Sequence, residues 1–215
     1  MTLDELRQRA GLWRAGDLPA SGGLASGFPA LDDLLPGGGW PRSGLTEILT
    51  TTPGSGALRL VLPALAMLSR AGRWIIWVAP PHVPYSPALE QCGLDLTRML
   101  VVDLPEDPAS PQGQALWVYE QALRFPDCGA ALLWLDDAAN LRLRRLQLAA
   151  EAGGTWGLLF RPERYAAVPS PAPLRLSLQA WHRERSAVAD GRTELQVTVH
   201  KARGASRGAY CVVEL

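Results

Sequence analysis

The stretch from Gly44 to Leu62, GLTEILTTTPGSGALRLVL, limits the fold more than any other part of the chain. An apolar, β-prone run (Leu45, Ile48, Leu49) enters a turn rich in Thr, Pro, Gly and Ser and leaves it as an apolar helix. That is the outline of a phosphate-binding strand–loop–helix. A working loop of this kind reads G-x-x-x-x-G-K-[ST], because backbone N–H groups wrap the phosphates, a lysine reaches the β/γ oxygens and a hydroxyl holds Mg²⁺. Here Thr51 stands at the first glycine, Gly54 lies inside the turn and Gly56 keeps the second glycine. Ala57 replaces the lysine and Leu58 the Ser/Thr. An apolar pair neither neutralises a triphosphate nor holds a metal ion. The stretch therefore reads as a vestigial P-loop, with no catalytic residue and no cofactor expected.

Strands and helices alternate after it. Trp74 to Val78 is a continuous apolar run, the mark of a strand covered on both faces. Met99 to Val102, Ala130 to Leu135 and Trp156 to Phe160 read as further strands. Between them, Gln112 to Phe125 is a helix with Ala115, Leu116, Tyr119, Ala122 and Leu123 inward, and Leu141 to Ala152 is another. This order implies a mostly parallel sheet flanked by helices. Beyond a proline-rich loop at Pro162 to Pro173, Leu174–Leu178 and Leu195–Val199 alternate apolar and polar residues, with the turn signal Asp190-Gly191 between them. An antiparallel C-terminal edge is expected, with Val197 and Val199 buried and Lys201 and Arg203 at the rim. At the other end, Thr2 to Glu5 forms a capping box. Leu3, Leu6, Ala10 and Trp13 share one face of the short N-terminal helix that follows. Three parts are expected: helix and linker (1–25), core (26–161), and loop with β segment (162–215).

With 21 basic and 21 acidic residues the chain has no sequence-wide charge to grip nucleic acid or membrane. Direct DNA binding is expected to be weak or absent. No apolar run reaches the roughly 18 residues of a membrane span, and no signal-peptide pattern opens the chain. Three cysteines without metal spacing suit a reducing cytoplasm and read as small buried apolar residues. His82, His182 and His200 are scattered, so no metal site is expected. Trp77 and Trp134 fall near strand ends, where they either fill the vacated nucleotide pocket or pack as ordinary core.

From about Ser26 to Arg203 the chain resembles the bacterial recombinase RecA. SGFPALDDLLPGGGWPRSGLTEI is similar to the entry to its ATP site, LLWLDDAANL to its Walker B strand and VTVHKARG to a late basic strand. Asp136 matches the Walker B acid, while Pro81 stands where RecA carries the glutamate that activates water. A degenerate RecA-like chain of this length resembles the ImuA family. That resemblance implies a non-catalytic, cytoplasmic adaptor in SOS-induced mutagenic translesion synthesis. It would link RecA to an ImuB-type Y-family polymerase homologue and, indirectly, to an error-prone polymerase subunit. Leu6 and Trp13 would then contact RecA, and Lys201 and Arg203 would contact ImuB. The alternative is the SulA family, division inhibitors that bind FtsZ; the long segment Leu174–Leu215 favours ImuA.

Overall fold

The computed structural model describes residues 22–51, 56–104, 111–136, 140–180, 194–202 and 207–215. Within them the chain runs α1 (Pro29–Leu34), β1 (Gly44–Thr50), α2 (Ala57–Arg70), β2 (Trp74–Val78), α3 (Ser86–Gln91) and β3 (Met99–Val102). It continues with α4 (Pro111–Arg124), β4 (Cys128–Trp134), α5 (Asn140–Gly153), β5 (Trp156–Pro162), β6 (Leu174–Ala180), β7 (Glu194–Lys201) and β8 (Tyr210–Glu214). The strands form one sheet in the order β3-β2-β4-β5-β1-β6-β7-β8.

This corrects the RecA-like expectation of a mostly parallel, helix-flanked sheet. The sheet is a mixed one of eight strands, and helices are few. β7 runs antiparallel to β6, and β8 antiparallel to β7, so these strands belong to the same sheet as the rest. The crossover from β5 to β6 carries no helix, only a 3-10 turn at Glu163–Tyr165 and a loop. Pro169, Pro171 and Pro173 in that loop have no N–H to donate, so a helix cannot propagate through it. The expected N-terminal helix, with Leu6 and Trp13, lies outside the described residues.

Strand alternation sorts the core into two layers. Ile48, Leu132 and Leu158 point to the face covered by α1 and α2, where Leu31, Leu60 and Leu65 meet them. Leu45, Leu133 and Leu159 point to the other face, where Tyr119, Leu123, Leu143 and Leu146 of α4 and α5 cover them. Trp156 is fully buried at the start of β5, donating its indole N–H to Thr46 Oγ1 at 3.0 Å. Cys128 is buried and Cys211 half-buried, while Cys92 is exposed, which corrects the reading of all three as buried.

Candidate functional site

The start of α2, where a P-loop would present a helix end to phosphate, is the first place to look for chemistry, and apolar side chains lie against it. β1 ends at Thr50, Thr51 is exposed and Gly54 lies outside the described residues. Gly56 precedes α2 with φ of 82°, a left-handed conformation that suits glycine. A Cβ there would lie 2.5 Å from Leu215 Cδ1 and 3.0 Å from Leu195 Cδ1. Ala57 and Leu58 pack against the same apolar cluster as Leu215, Cys211 and Trp134. The start of the helix thus faces leucines where a phosphate would need polar donors. Along the neighbouring strand ends, Trp134 stacks on Phe160 at 4.9 Å between centroids and tilts against Trp77 at 5.6 Å. Trp77 belongs to the core cluster and Trp134 packs on it, the ordinary-core reading of the pair. Asp136 is exposed just beyond β4, and Pro81 and His82 are exposed beyond β2. Among the described residues no group of three His, Cys, Asp or Glu could hold a metal ion.

A second polar constellation lies inside the sheet. Glu47 on β1 is fully buried between two strands that each carry an arginine. Arg161 of β5 approaches Oε1 at 3.3 Å, and Arg175 of β6 donates from Nε to Oε2 at 2.7 Å. Ser170 Oγ donates to Oε1 at 2.5 Å. Arg175 also donates from Nη2 to the Tyr165 carbonyl at 2.7 Å, and Arg161 lies 4.1 Å over the Tyr165 ring. The effect is structural: three strands and the crossover loop are tied to one carboxylate. Sequence reading passed over these residues; it offered a glutamate inside the apolar run Leu45–Leu49 and nothing to say what partners it.

Lys201 is exposed at the end of β7 and donates from Nζ to the Ser170 carbonyl at 2.8 Å; Arg203 lies outside the described residues. Val197 and Val199 are buried. The ladder shifts register at Arg175, so His200 is the additional residue of a β-bulge. Beside it is a cavity of about 500 Å³ lined in part by Val168, Ser170, Arg175, His200, Lys201 and Arg207. Burial first, and then the positive field of Arg175, hold the His200 imidazole below its ordinary range, with Glu163 opposing.

The third feature is a groove between α4 and α5, of about 270 Å³, floored by Leu116 and Leu146 and walled by Trp117, Arg142 and Arg145. Glu120 lies in it almost wholly buried. Arg145 Nε meets its Oε2 at 2.6 Å, and Arg124 Nη2 its Oε1 at 3.1 Å. Burial alone would raise the Glu120 carboxyl, but the hydrogen bonds from Arg145 and Arg124 outweigh it and hold the group below the usual carboxylate range. Sequence analysis singled out none of these groove residues except Leu116, as an inward position.

Comparison with known proteins bears on the family of the chain. The family model described as "Cell division inhibitor SulA" matches residues 45–157. "Cell division inhibitor SulA" of Edwardsiella piscicida is 31% identical over 134 residues, covering 61% of this chain and 77% of that one. The SulA of Serratia marcescens is 28% identical over 120 residues, covering 56% and 68%. The crystal structure of SulA from Pseudomonas aeruginosa is 27% identical, covers 54% of this chain and 97% of that one, and has a TM-score of 0.43. These sequence matches overturn the ImuA resemblance. With it fall the translesion-synthesis adaptor, the ImuB and RecA partners and the indirect link to a polymerase subunit. Of the motifs behind that resemblance, LLWLDDAANL lies within the residues that match SulA, whereas most of SGFPALDDLLPGGGWPRSGLTEI and all of VTVHKARG lie outside them. The segment Leu174–Leu215, on which the preference for ImuA rested, lies beyond the matched residues and so separates nothing. Matched by the family model over more than half its length, the chain belongs to the SulA family of cell division inhibitors.

Proposed function

We propose that this chain is a non-catalytic inhibitor of cell division, acting in the cytoplasm by binding FtsZ, the partner that the SulA resemblance implies. The observation that carries the reading is the SulA match across residues 45–157. The apolar surroundings of the start of α2 support it. With Leu215 and Leu195 against Gly56, and with Ala57 and Leu58 at the phosphate positions, the chain acts by occupancy and not by turnover. Inhibition then follows mass action, one bound molecule for each target molecule. Purified chain titrated into FtsZ polymerising with GTP should lower the sedimented polymer in proportion, approaching full loss near equimolar addition. Adding ATP should change nothing. Induced expression in rod-shaped cells carrying that FtsZ should give filaments without division rings. Unchanged polymer at about a tenfold excess of the chain, where mass action favours any useful complex, removes the reading.

A further inference from the structure

We propose that the groove between α4 and α5 is the docking surface of this protein, and that it takes an acidic segment of a protein partner bearing one apolar anchor. The inference rests on the proposed binding of FtsZ and assigns it a surface. Three large apolar side chains on the outer side of this helix pair face water: Trp117 is 61% exposed, Leu141 79% and Leu148 63%. Scattered apolar residues are normal on a surface; here one walls the groove and the other two share one line of the neighbouring helix. Trp117 forms a wall of the groove together with Arg142 and Arg145. Leu141 and Leu148 are seven residues apart on α5, hence on one line of the helix, and Arg145 lies beside that line.

The charge of the groove selects the occupant. Among its lining residues the only acid is Glu120, and its two oxygens are already held by Arg124 and Arg145. Arg142 therefore adds positive charge that no lining acid offsets. The Glu120 contact also fixes the Arg145 guanidinium at the rim, so less side-chain entropy is lost when a partner binds. A carboxylate-bearing segment complements this field, and an apolar side chain of that segment would lie against Trp117. Tryptophan and arginine around an apolar floor are the residue types that dominate protein–protein hot spots. A nucleic acid would match the arginines but make no use of Leu141 and Leu148. The chain as a whole is also electrically neutral, so the attraction is local to this groove.

The test measures binding of purified FtsZ to the full chain by surface plasmon resonance. The variants are Trp117→Ala and Arg142→Glu in the groove and Leu148→Glu on the exposed line of α5 beside it, each checked by thermal melting. The control is Arg59→Glu, exposed on α2 at the opposite face of the sheet. Each of the three variants should bind about tenfold more weakly or worse, as removal of a hot-spot residue does, and the control should bind as the parent does. Arg142→Lys keeps the charge and should retain most of the affinity. Arg142→Glu should also flatten the dependence of the on-rate on salt. If the parent binds and all three variants bind equally well, the groove is not the surface, and the proposed function stands without it. If the parent does not bind FtsZ, the functional reading fails and this inference falls with it. Loss of self-association in the variants, seen by sedimentation, would make the occupant a second copy of this chain. Loss of single-stranded DNA binding would make it a nucleic acid. Either result overturns the proposal.

Discussion

Replacing Glu47 by alanine should be among the most damaging single changes in the described part of the chain. The carboxylate is fully buried, and the side chains of its partners Arg161 and Arg175 are 2% and 6% exposed. Deleting it leaves two guanidinium groups in a nearly water-free setting. Arg175 would keep its bond to the Tyr165 carbonyl, and Arg161 its position over the Tyr165 ring. Those contacts soften the loss but do not neutralise charge. Breaking a buried ion pair by removing one partner costs about 3–5 kcal/mol, a large share of the roughly 5–15 kcal/mol that holds a domain folded. For a chain of this size each kcal/mol lowers the melting temperature by about 2–4 °C, so the shift should be about 6–20 °C. Thermal melts and urea titrations by circular dichroism measure both quantities.

A triple variant, Glu47→Leu with Arg161→Met and Arg175→Met, isolates the cause. Exchanging a whole buried ionic cluster for apolar side chains of similar volume is often neutral or stabilising. The triple variant should therefore be more stable than Glu47→Ala while its crossover loop, no longer tied by Arg175, is cut more readily by protease. A Glu47→Ala protein melting within about 2 °C of the parent, less than the shift expected for 1 kcal/mol, would refute the reasoning. So would a triple variant less stable than the single one.

The thiols should react in order of burial and acidity. Cys92 is exposed and should react at once with a disulfide reagent at pH 8; Cys211, pushed up to about 11 by burial, should lag; Cys128, pushed up to about 12, should react only on unfolding. Rapid native labelling of Cys128, read by mass spectrometry, would contradict its placement. Restoring the phosphate-binding residues with Ala57→Lys and Leu58→Thr should still give no ATP binding by calorimetry, because Leu215 and Leu195 stand against Gly56. Saturable binding would show that two substitutions alone had removed it. His200 should make stability depend on pH. Its folded-state pKa lies below the unfolded value near 6.5, so the unfolded chain takes up the proton first as pH falls. Its contribution is fully present above about pH 6.5 and is lost below it, and His200→Gln should flatten that limb of the stability curve.

The individual elements were legible because their signals are local. Trp74 to Val78 is an unbroken apolar run and forms β2, and the five inward positions named for the helix around Gln112 to Phe125 are all buried in α4. The alternation in Leu195–Val199 placed Val197 and Val199 correctly for the same reason. What local windows miss is pairing across the chain. Glu47 meets Arg161 and Arg175 over separations of 114 and 128 residues, and no propensity or period announces such a contact. The leucines against Gly56, Leu195 and Leu215, come from distant strands, so the missing lysine was visible while these neighbours of the turn were not. The groove was hidden by a different effect. Periodicity finds the buried stripe of a helix and assigns the remainder to solvent, and Trp117, Leu141 and Leu148 sit in that remainder. Residues selected for a partner break the pattern that burial imposes. The family assignment slipped for a related reason: motifs that build a sheet core are shared by proteins that do different things, and fold does not carry function. Short core motifs read one at a time name a kind of sheet; only the match taken whole over residues 45–157 separates the division-inhibitor family from a polymerase adaptor.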